Sequence, residues 1–270
     1  MTQISTRGKV LLPKKLALIS LEQKRLFMAE LSDRQKNLLK IIIDEYIETA
    51  EPIGSENIVE KYSLGVSPAT VRNEMVSLTN QGYLKQPHTS AGRVPTSTGL
   101  KFYVGNLMKE NNLAVKDEVT IKESLWEQRF QFHRLLRQAA RELSAQTGSL
   151  AIAYSEDGDV FYAGASNILE MPEFFDIDLT KAVLEMMDRH EALESVFAKS
   201  VGDEPVHILL GDELGQGYFE YCGMVYSPFG SGKKNAGVIG VIGPSRMRFS
   251  RVVPTVRYFG DLLTEMTRNW

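Results

Sequence analysis

The 270-residue sequence predicts an α+β chain. A winged helix-turn-helix unit over residues 31–108 comes first, then a long connecting helix over 109–147, then a second α+β domain over 148–270. Three observations predict this. Three helical segments precede a strand–loop–strand hairpin, with a glycine turn before the third. An amphipathic stripe runs through 118–146. Short apolar runs then alternate with helical periodicity to the C-terminus.

Residues 1–30 hold Arg7, Lys9, Lys14, Lys15, Lys24 and Arg25 against only Glu22 and Glu30, with Pro13 breaking the one apolar patch. They read either as a basic arm with a role or as a frayed terminus without one. From Leu31 the pattern turns helical, with Leu39, Ile42, Ile43, Tyr46 and Ile47 on one face. Glu51-Pro52-Ile53-Gly54 stops that helix, and Ser55 is expected to cap a second one running to about Tyr62. Gly65 suits the turn in Ser63-Leu64-Gly65-Val66, because glycine takes the left-handed conformation without steric cost. The third helix has a well-marked start, with Ser67 as cap and Pro68 at the first position, where a missing N–H is harmless. Its buried face is expected to be Val71, Met75 and Leu78. The wing follows, as strands near Tyr83–Lys85 and Arg93–Pro95 joined by the polar loop Gln86–Gly92. Thr96 or Ser97 then caps a fourth helix bearing Leu100, Phe102, Tyr103, Val104 and Leu107.

The stripe Leu125, Phe132, Leu136, Ala139 and Leu143, interrupted by Arg129, reads as one long helix whose apolar face is either intramolecular core or a dimer seam. Beyond it, strands are expected at 149–154, 160–165, 206–210, 219–226 and 237–242, with a tight turn at Asp157-Gly158. Helices are expected around Leu179–Met186 and from Val252 to Trp270.

Net charge is -3, from 31 Lys plus Arg against 34 Asp plus Glu, so whole-chain charge points to no nucleic-acid partner. Local charge does. From Met75 through Lys109 there is no Asp or Glu, while Lys85, His88, Arg93, Lys101 and Lys109 all occur. A cationic wing beside a helix-turn-helix helix is what duplex DNA requires, because neutralising phosphates releases condensed counterions. The candidate DNA-contacting residues are Ser67, Thr70, Arg72, Asn73 and Ser77 on the third helix, and Lys85, His88, Thr89, Ser90 and Arg93 on the wing. By side-chain type Arg72 can pair with guanine and Asn73 with adenine, the base that each reads being beyond the sequence, and either can instead serve as a salt bridge or cap within the fold. The alternative for Arg72 is an internal ion pair with Glu74 or Glu48.

Catalytic readings fail on the residues. Gly230-Ser231-Gly232-Lys233 is like a phosphate loop but lacks glycine at Ser227 and a hydroxyl residue at Lys234. The glycines of Gly237-Val238-Ile239-Gly240-Val241-Ile242-Gly243 recur every third residue, which suits a strand in close backbone contact and not a dinucleotide site. Cys222 lies in an apolar run, and the four His residues have no ligand spacing, so no metal, cofactor or catalytic residue is expected. A single cysteine and no apolar run near 18 residues point to a soluble, cytoplasmic protein with no membrane partner.

Three long motifs carry a resemblance. They are Tyr46-Ile47-Glu48-Thr49-Ala50-Glu51-Pro52-Ile53-Gly54-Ser55, Leu64-Gly65-Val66-Ser67-Pro68-Ala69-Thr70-Val71-Arg72-Asn73-Glu74-Met75, and the wing from Gly82 to Pro95. Together they resemble the DNA-binding half of the heat-inducible transcription repressors of the HrcA family. Gly164-Ala165-Ser166-Asn167-Ile168-Leu169, Pro172-Glu173-Phe174 and the run Gly237–Met247 are similar to that family's C-terminal half. The resemblance implies a winged-helix domain followed by a GAF-like domain. It also implies a homodimer on an inverted-repeat operator in double-stranded DNA, repressing chaperone and chaperonin genes, inactivated by heat and restored by chaperonin as a partner. The matching positions are Ser67, Thr70, Arg72, Asn73, His88, Thr89, Ser90 and Arg93. Residues 1–30 have no counterpart in this resemblance. Family members also carry an inserted pairing domain where only a short turn around Asp157-Gly158 stands here. Pairing is therefore expected through the Leu125–Leu143 stripe or the C-terminal helix. A regulator with the same DNA module and a GAF-like domain that senses a small effector is the alternative function.

Overall fold

The computed structural model describes residues 31–198, 204–215, 217–230 and 235–268. The basic segment 1–30, Ser231 to Lys234 and Trp270 lie outside the described residues.

Helix α1 (Asp33–Thr49) opens with a reciprocal cap, in which Ser32 accepts from the Gln35 backbone while the Gln35 side chain accepts from the Ser32 N–H. It buries Leu38, Leu39, Ile42, Ile43, Tyr46 and Ile47, as its 3.6-residue pattern requires. Helix α2 (Ser55–Lys61) begins one residue earlier than expected. Gly54 is its N-cap, and Ser55 is buried inside its first turn. Gly65 takes φ 68 in the following turn. Helix α3 (Pro68–Asn80) starts at Ser67 as expected, with the Ser67 hydroxyl accepting from the Thr70 N–H at 3.2 Å. Val71, Met75 and Leu78 are its buried face. The wing is a short antiparallel pair, β1 (Leu84–Lys85) and β2 (Val94–Pro95), and Thr96 caps α4 (Ser97–Asn106). Ile53, in the segment that stops α1, pairs with Arg93 through two backbone hydrogen bonds of 2.9 Å and extends the wing by one bridge.

The expected long helix is two helices, α5 (Val115–Trp126) and α6 (Phe132–Thr147), folded back on each other. Ser124 donates to Glu142 at 2.7 Å and accepts from Gln138 at 2.9 Å. In a single straight helix Ser124 and Gln138 would stand about 21 Å apart along the axis. The break spans residues 127–131 and contains Arg129, the charged residue in the apolar stripe. In the turn its guanidinium lies over the rings of Trp126 and Phe130, at 4.4 and 4.2 Å, instead of in the core. The stripe itself is intramolecular. Leu125, Leu136, Ala139 and Leu143 are fully buried against the chain's own sheet, so they are not available as a dimer seam.

The second domain is an antiparallel sheet in the order β4-β3-β7-β6-β5. Its strands are β3 (Leu150–Ser155), β4 (Val160–Ala163), β5 (His207–Leu210), β6 (Cys222–Phe229) and β7 (Gly237–Pro244). Strand β6 begins three residues later than its sequence pattern suggests, because Phe219 and Tyr221 belong to the turn before it. On one face Ala151, Ala153, Val225 and Val241 meet α6 and the last helix, α10 (Phe249–Thr267). On the other, Leu150, Ile152, Met224 and Ile242 meet α7 (Ala165–Ile168), a 3-10 turn at Pro172–Phe175, α8 (Ile177–Asp188) and α9 (His190–Phe197). Two-residue alternation along each strand produces the two faces. A Cβ on Gly237 would overlap the Tyr154 carbonyl, and one on Gly240 would overlap Tyr226, so the glycine spacing reflects close strand approach. The apolar residues of α10, from Phe249 through Val256 and Phe259 to Met266, are buried in the chain's own core, so this helix too offers no apolar seam to a second copy.

The two halves share one continuous apolar core, running from Leu39 and Ile42 through Ile121 and Leu136 to Val256 and Phe259. Polar contacts complete the seam. Pro254 inside α10 deprives the Ser250 carbonyl of its helical partner, and Asn111 supplies an N–H at 2.7 Å instead. Arg246 donates to the Ile47 carbonyl at 2.9 Å, in the last turn of α1, where helical donors run out. It also grips Glu173 through two bonds of 2.5 and 3.1 Å. Its side chain is only 15% exposed and that of Glu173 11%. Arg246→Ala is expected to lower stability by about 3–5 kcal/mol, because it strands a desolvated carboxylate, whereas Arg246→Met combined with Glu173→Leu should cost far less. Urea denaturation of the two variants measures the difference. A double variant as unstable as the single one would show that the pair is not what Arg246 contributes.

Candidate nucleic-acid interface

Burying Val71, Met75 and Leu78 turns a defined strip of α3 outward. At 100° per residue, Ala69, Arg72, Asn73, Val76 and Asn80 fall within about 100° of one another on the helix surface. All five are exposed. The side chains of Arg72 and Asn73 have no hydrogen bond or ion pair among the described residues. Both acids considered as partners for Arg72 are engaged elsewhere, Glu74 by Arg34 and Glu48 by Arg248 at 2.9 Å. The internal ion pair is therefore not formed, and the guanidinium is free to meet a ligand.

Ser67 and Thr70 stand at the start of the helix. Their hydroxyls lie 3.0 Å apart and serve the N-cap; Pro68 has no N–H and the cap takes that of Thr70, so the Ala69 N–H and the positive end of the helix dipole are what the first turn offers beside them. This is a ready contact for a phosphate. Ser77 is placed differently from the sequence expectation. It is half-buried, accepts from Gln35 of α1 at 3.2 Å and from Gln81 at 3.1 Å, and so secures α3 to α1 instead of facing outward.

The wing loop is held open by Gln86, which donates to the carbonyls of Thr89 and Ala91 at 2.8 and 2.9 Å. His88, Thr89 and Ser90 are consequently exposed at its tip. A Cβ on Gly92 would run into the Ile53 backbone, so glycine is required where the wing meets the strap after α1. Arg93 is half-buried and donates through Nε to the Thr79 hydroxyl at 3.1 Å, tying the wing to α3. Arg72, Gln86, Thr89, Ser90 and Arg93 line a single groove of about 450 Å³, which extends to Glu56 and Asn57 at the start of α2.

Lys85 departs from expectation. It forms an ion pair with Glu220 of the second domain, and its ammonium sits 5.3 Å from the Tyr221 ring. Lys101 pairs with Glu213 in the same way, at 2.5 Å. Two cations of the acid-free run thus have acidic partners more than a hundred residues away, and the wing surface is less positive than its local sequence indicates. Sequence reasoning also passed over Ala69, Val76 and Asn80. The signal was present, since each lies on the face opposite the buried triad.

The arrangement offers donors and acceptors to a surface that fits alongside a helix, and no catalytic constellation. Cys222 is fully buried, and burial pushes its thiol up to about 12, far from thiolate chemistry. Among the described residues no group of His, Cys, Asp and Glu is placed to hold a metal, and no helix is long and apolar enough to cross a membrane.

Comparison with known proteins agrees with this geometry. A model described as the winged helix-turn-helix transcription repressor, HrcA DNA-binding, matches residues 30–104. One described as the HrcA protein C terminal domain matches residues 102–253. The heat-inducible transcription repressor HrcA of Carboxydothermus hydrogenoformans is 26% identical over 340 residues, covering 88% of this chain and 99% of that protein. That of Symbiobacterium thermophilum is 27% identical over 338 residues, with the same coverage. Both alignments are longer than the 270-residue chain, so these relatives carry segments with no counterpart here. A crystal structure described only as a hypothetical protein at 2.2 Å resolution superposes with a TM-score of 0.69 at 19% identity, covering 89% of this chain and 99% of that one, and so shares the fold. With both halves matched and the winged helix presenting an open recognition strip, the chain belongs to the HrcA family of heat-inducible transcription repressors.

Proposed function

We propose that the chain represses chaperone and chaperonin genes in the cytoplasm by binding an inverted-repeat operator in double-stranded DNA as a homodimer, and that heat inactivates it while chaperonin restores it. The observation that supports this best is the pair Arg72 and Asn73, exposed and without an internal partner on a capped helix whose opposite face is core. In this reading α3 lies in the major groove. Arg72 and Asn73 address base edges, and the first turn of α3 with Thr89 and Ser90 of the wing holds phosphates. Arg93 acts by fixing the wing against Thr79. Lys85 reaches phosphate only by leaving Glu220.

Arg72→Ala and Asn73→Ala should each cost about 1–3 kcal/mol of discrimination at one base pair and leave thermal stability within about 0.5 kcal/mol of the parent. Binding to inverted-repeat DNA from the protein's own chaperonin promoter, against scrambled DNA across a salt series, is the measurement. Equal affinity for both duplexes at physiological salt would defeat the assignment. The two half-sites require two copies about a two-fold axis. Light scattering with and without operator should give twice the chain mass in the complex, and a monomer in both conditions would refute the dimer.

A second reading, effector sensing by the GAF-like domain, is favoured by one feature. Tyr154, His190, Phe197, Tyr226 and His207 form a row of ring contacts between 5.0 and 5.3 Å on the α9 side of the sheet. Within it His190 Nδ1 and the Tyr226 hydroxyl are buried without a hydrogen-bond partner among the described residues. A metabolite held there at a hundred times its Kd would add about 2.7 kcal/mol of stability, read as a rise in Tm that Tyr226→Phe diminishes. A metabolite library that leaves Tm unmoved would count against it.

A further inference from the structure

Val76 is 41% exposed near the middle of the outward strip of α3, with Arg72 one turn before it and Asn80 one turn after. Neither folding nor solubility accounts for it. It is not among the apolar residues packed on the core, and its neighbours one turn away on the exposed strip, Arg72, Asn73 and Asn80, are all polar. A β-branched residue is also a poorer helix former than Ala, Lys or Gln, so an exposed helix position gains nothing from it. Single exposed apolar residues are common on protein surfaces. This one stands in the centre of the surface that, under the reading above, is pressed against DNA.

The major groove presents a single methyl group, the 5-methyl of thymine; the other features that tell base edges apart there are hydrogen-bond donors and acceptors. A valine placed between an arginine and an asparagine therefore has one complementary target there. Against a cytosine or a purine edge it would cover polar atoms without bonding them, which penalises those bases and turns an apolar contact into discrimination. We infer that Val76 reads the 5-methyl group of a thymine in each operator half-site. This inference rests on α3 being the DNA-reading helix. Val76 lies about 6 Å along the axis from Arg72, and bases rise about 3.4 Å per step, so that thymine falls within two base pairs of the one Arg72 reads.

The test uses the full chain and duplexes it selects from random-sequence DNA. Each thymine of the selected half-site is replaced singly by deoxyuridine, which removes the methyl and nothing else. With the parent chain, one position near that of Arg72 should lose about 3- to 5-fold in affinity, the worth of withdrawing one methyl group from water. With Val76→Ala and Val76→Ser, whose melting curves should match the parent, the same replacement should have little effect. Three results would overturn the inference: no thymine in the half-site is sensitive, the sensitive one lies far from the Arg72 position, or the loss persists undiminished in both variants. Selection that enriches no duplex at all would instead remove the DNA reading beneath it, and the two failures are told apart at that first step.

Discussion

The guanidinium of Arg246 holds the architecture together. It is 199 residues from Ile47, yet it completes the last turn of α1 by donating to a carbonyl that the helix itself leaves without a donor. Its charge is balanced by Glu173, which enters from the 3-10 turn on the other side of the sheet domain. Three elements distant in sequence thus meet at one nearly dry ion pair. A charge withdrawn from water this far tolerates little displacement, because any rearrangement that separates the pair leaves two desolvated ions. The direction in which the winged helix is presented is fixed by that intolerance, as much as by the apolar core that continues across the seam.

From α1 the constraint passes to α3. Gln35 of α1 donates to Ser77, and Arg34 pairs with Glu74, so the side of α3 next to its buried triad is fastened as well. Only the strip from Ala69 to Asn80 remains unfastened. A recognition surface built in this way is rigid by construction. Its side chains are free, while the backbone that carries them is secured by a cap at one end and by packing along its length. The wing is held to the same standard through Arg93 and Thr79, and through the bridge from Ile53 to Arg93.

Features decided by near neighbours were legible in the sequence. Ser67 followed by Pro68 marks a helix start, and Gly65 and Gly158 mark turns, because caps and left-handed turns involve residues only a few positions apart. The outward placement of Arg72 and Asn73 follows from the period of Val71, Met75 and Leu78. Features decided across long separations were not legible. Nothing local to Lys85 announces Glu220, 135 positions on, and nothing near Ser77 announces Gln35. The break between α5 and α6 lies between these cases. Arg129 was visible as an interruption of the stripe, but its consequence depends on whether α5 finds a surface to fold back on, and the partners Gln138 and Glu142 lie beyond the turn. Periodicity identifies a face; it does not say whether the helix carrying it runs on or doubles back.

The seam between the two halves contains contacts of two kinds, and the difference bears on regulation. The Arg246 pair is enclosed, but Lys85 and Glu220 are 38% and 56% exposed, and Lys101 and Glu213 are similarly wet. Pairs so exposed are worth about 0–1 kcal/mol and are weakened by salt. Under the proposed DNA reading, a phosphate approaching the wing would compete with Glu220 for the same ammonium, so DNA binding and the wing-side part of the seam would draw on one charge. Linkage makes this reciprocal. The free energy that the Lys85–Glu220 pair contributes would have to be given up when phosphate takes Lys85, so a change in the second domain that removes Glu220 would raise DNA affinity by that same amount. Moving Glu220 would thus change the charge at the wing while the enclosed Arg246 pair, and with it the placement of α3, stayed as it is, which a seam made only of buried contacts would not permit.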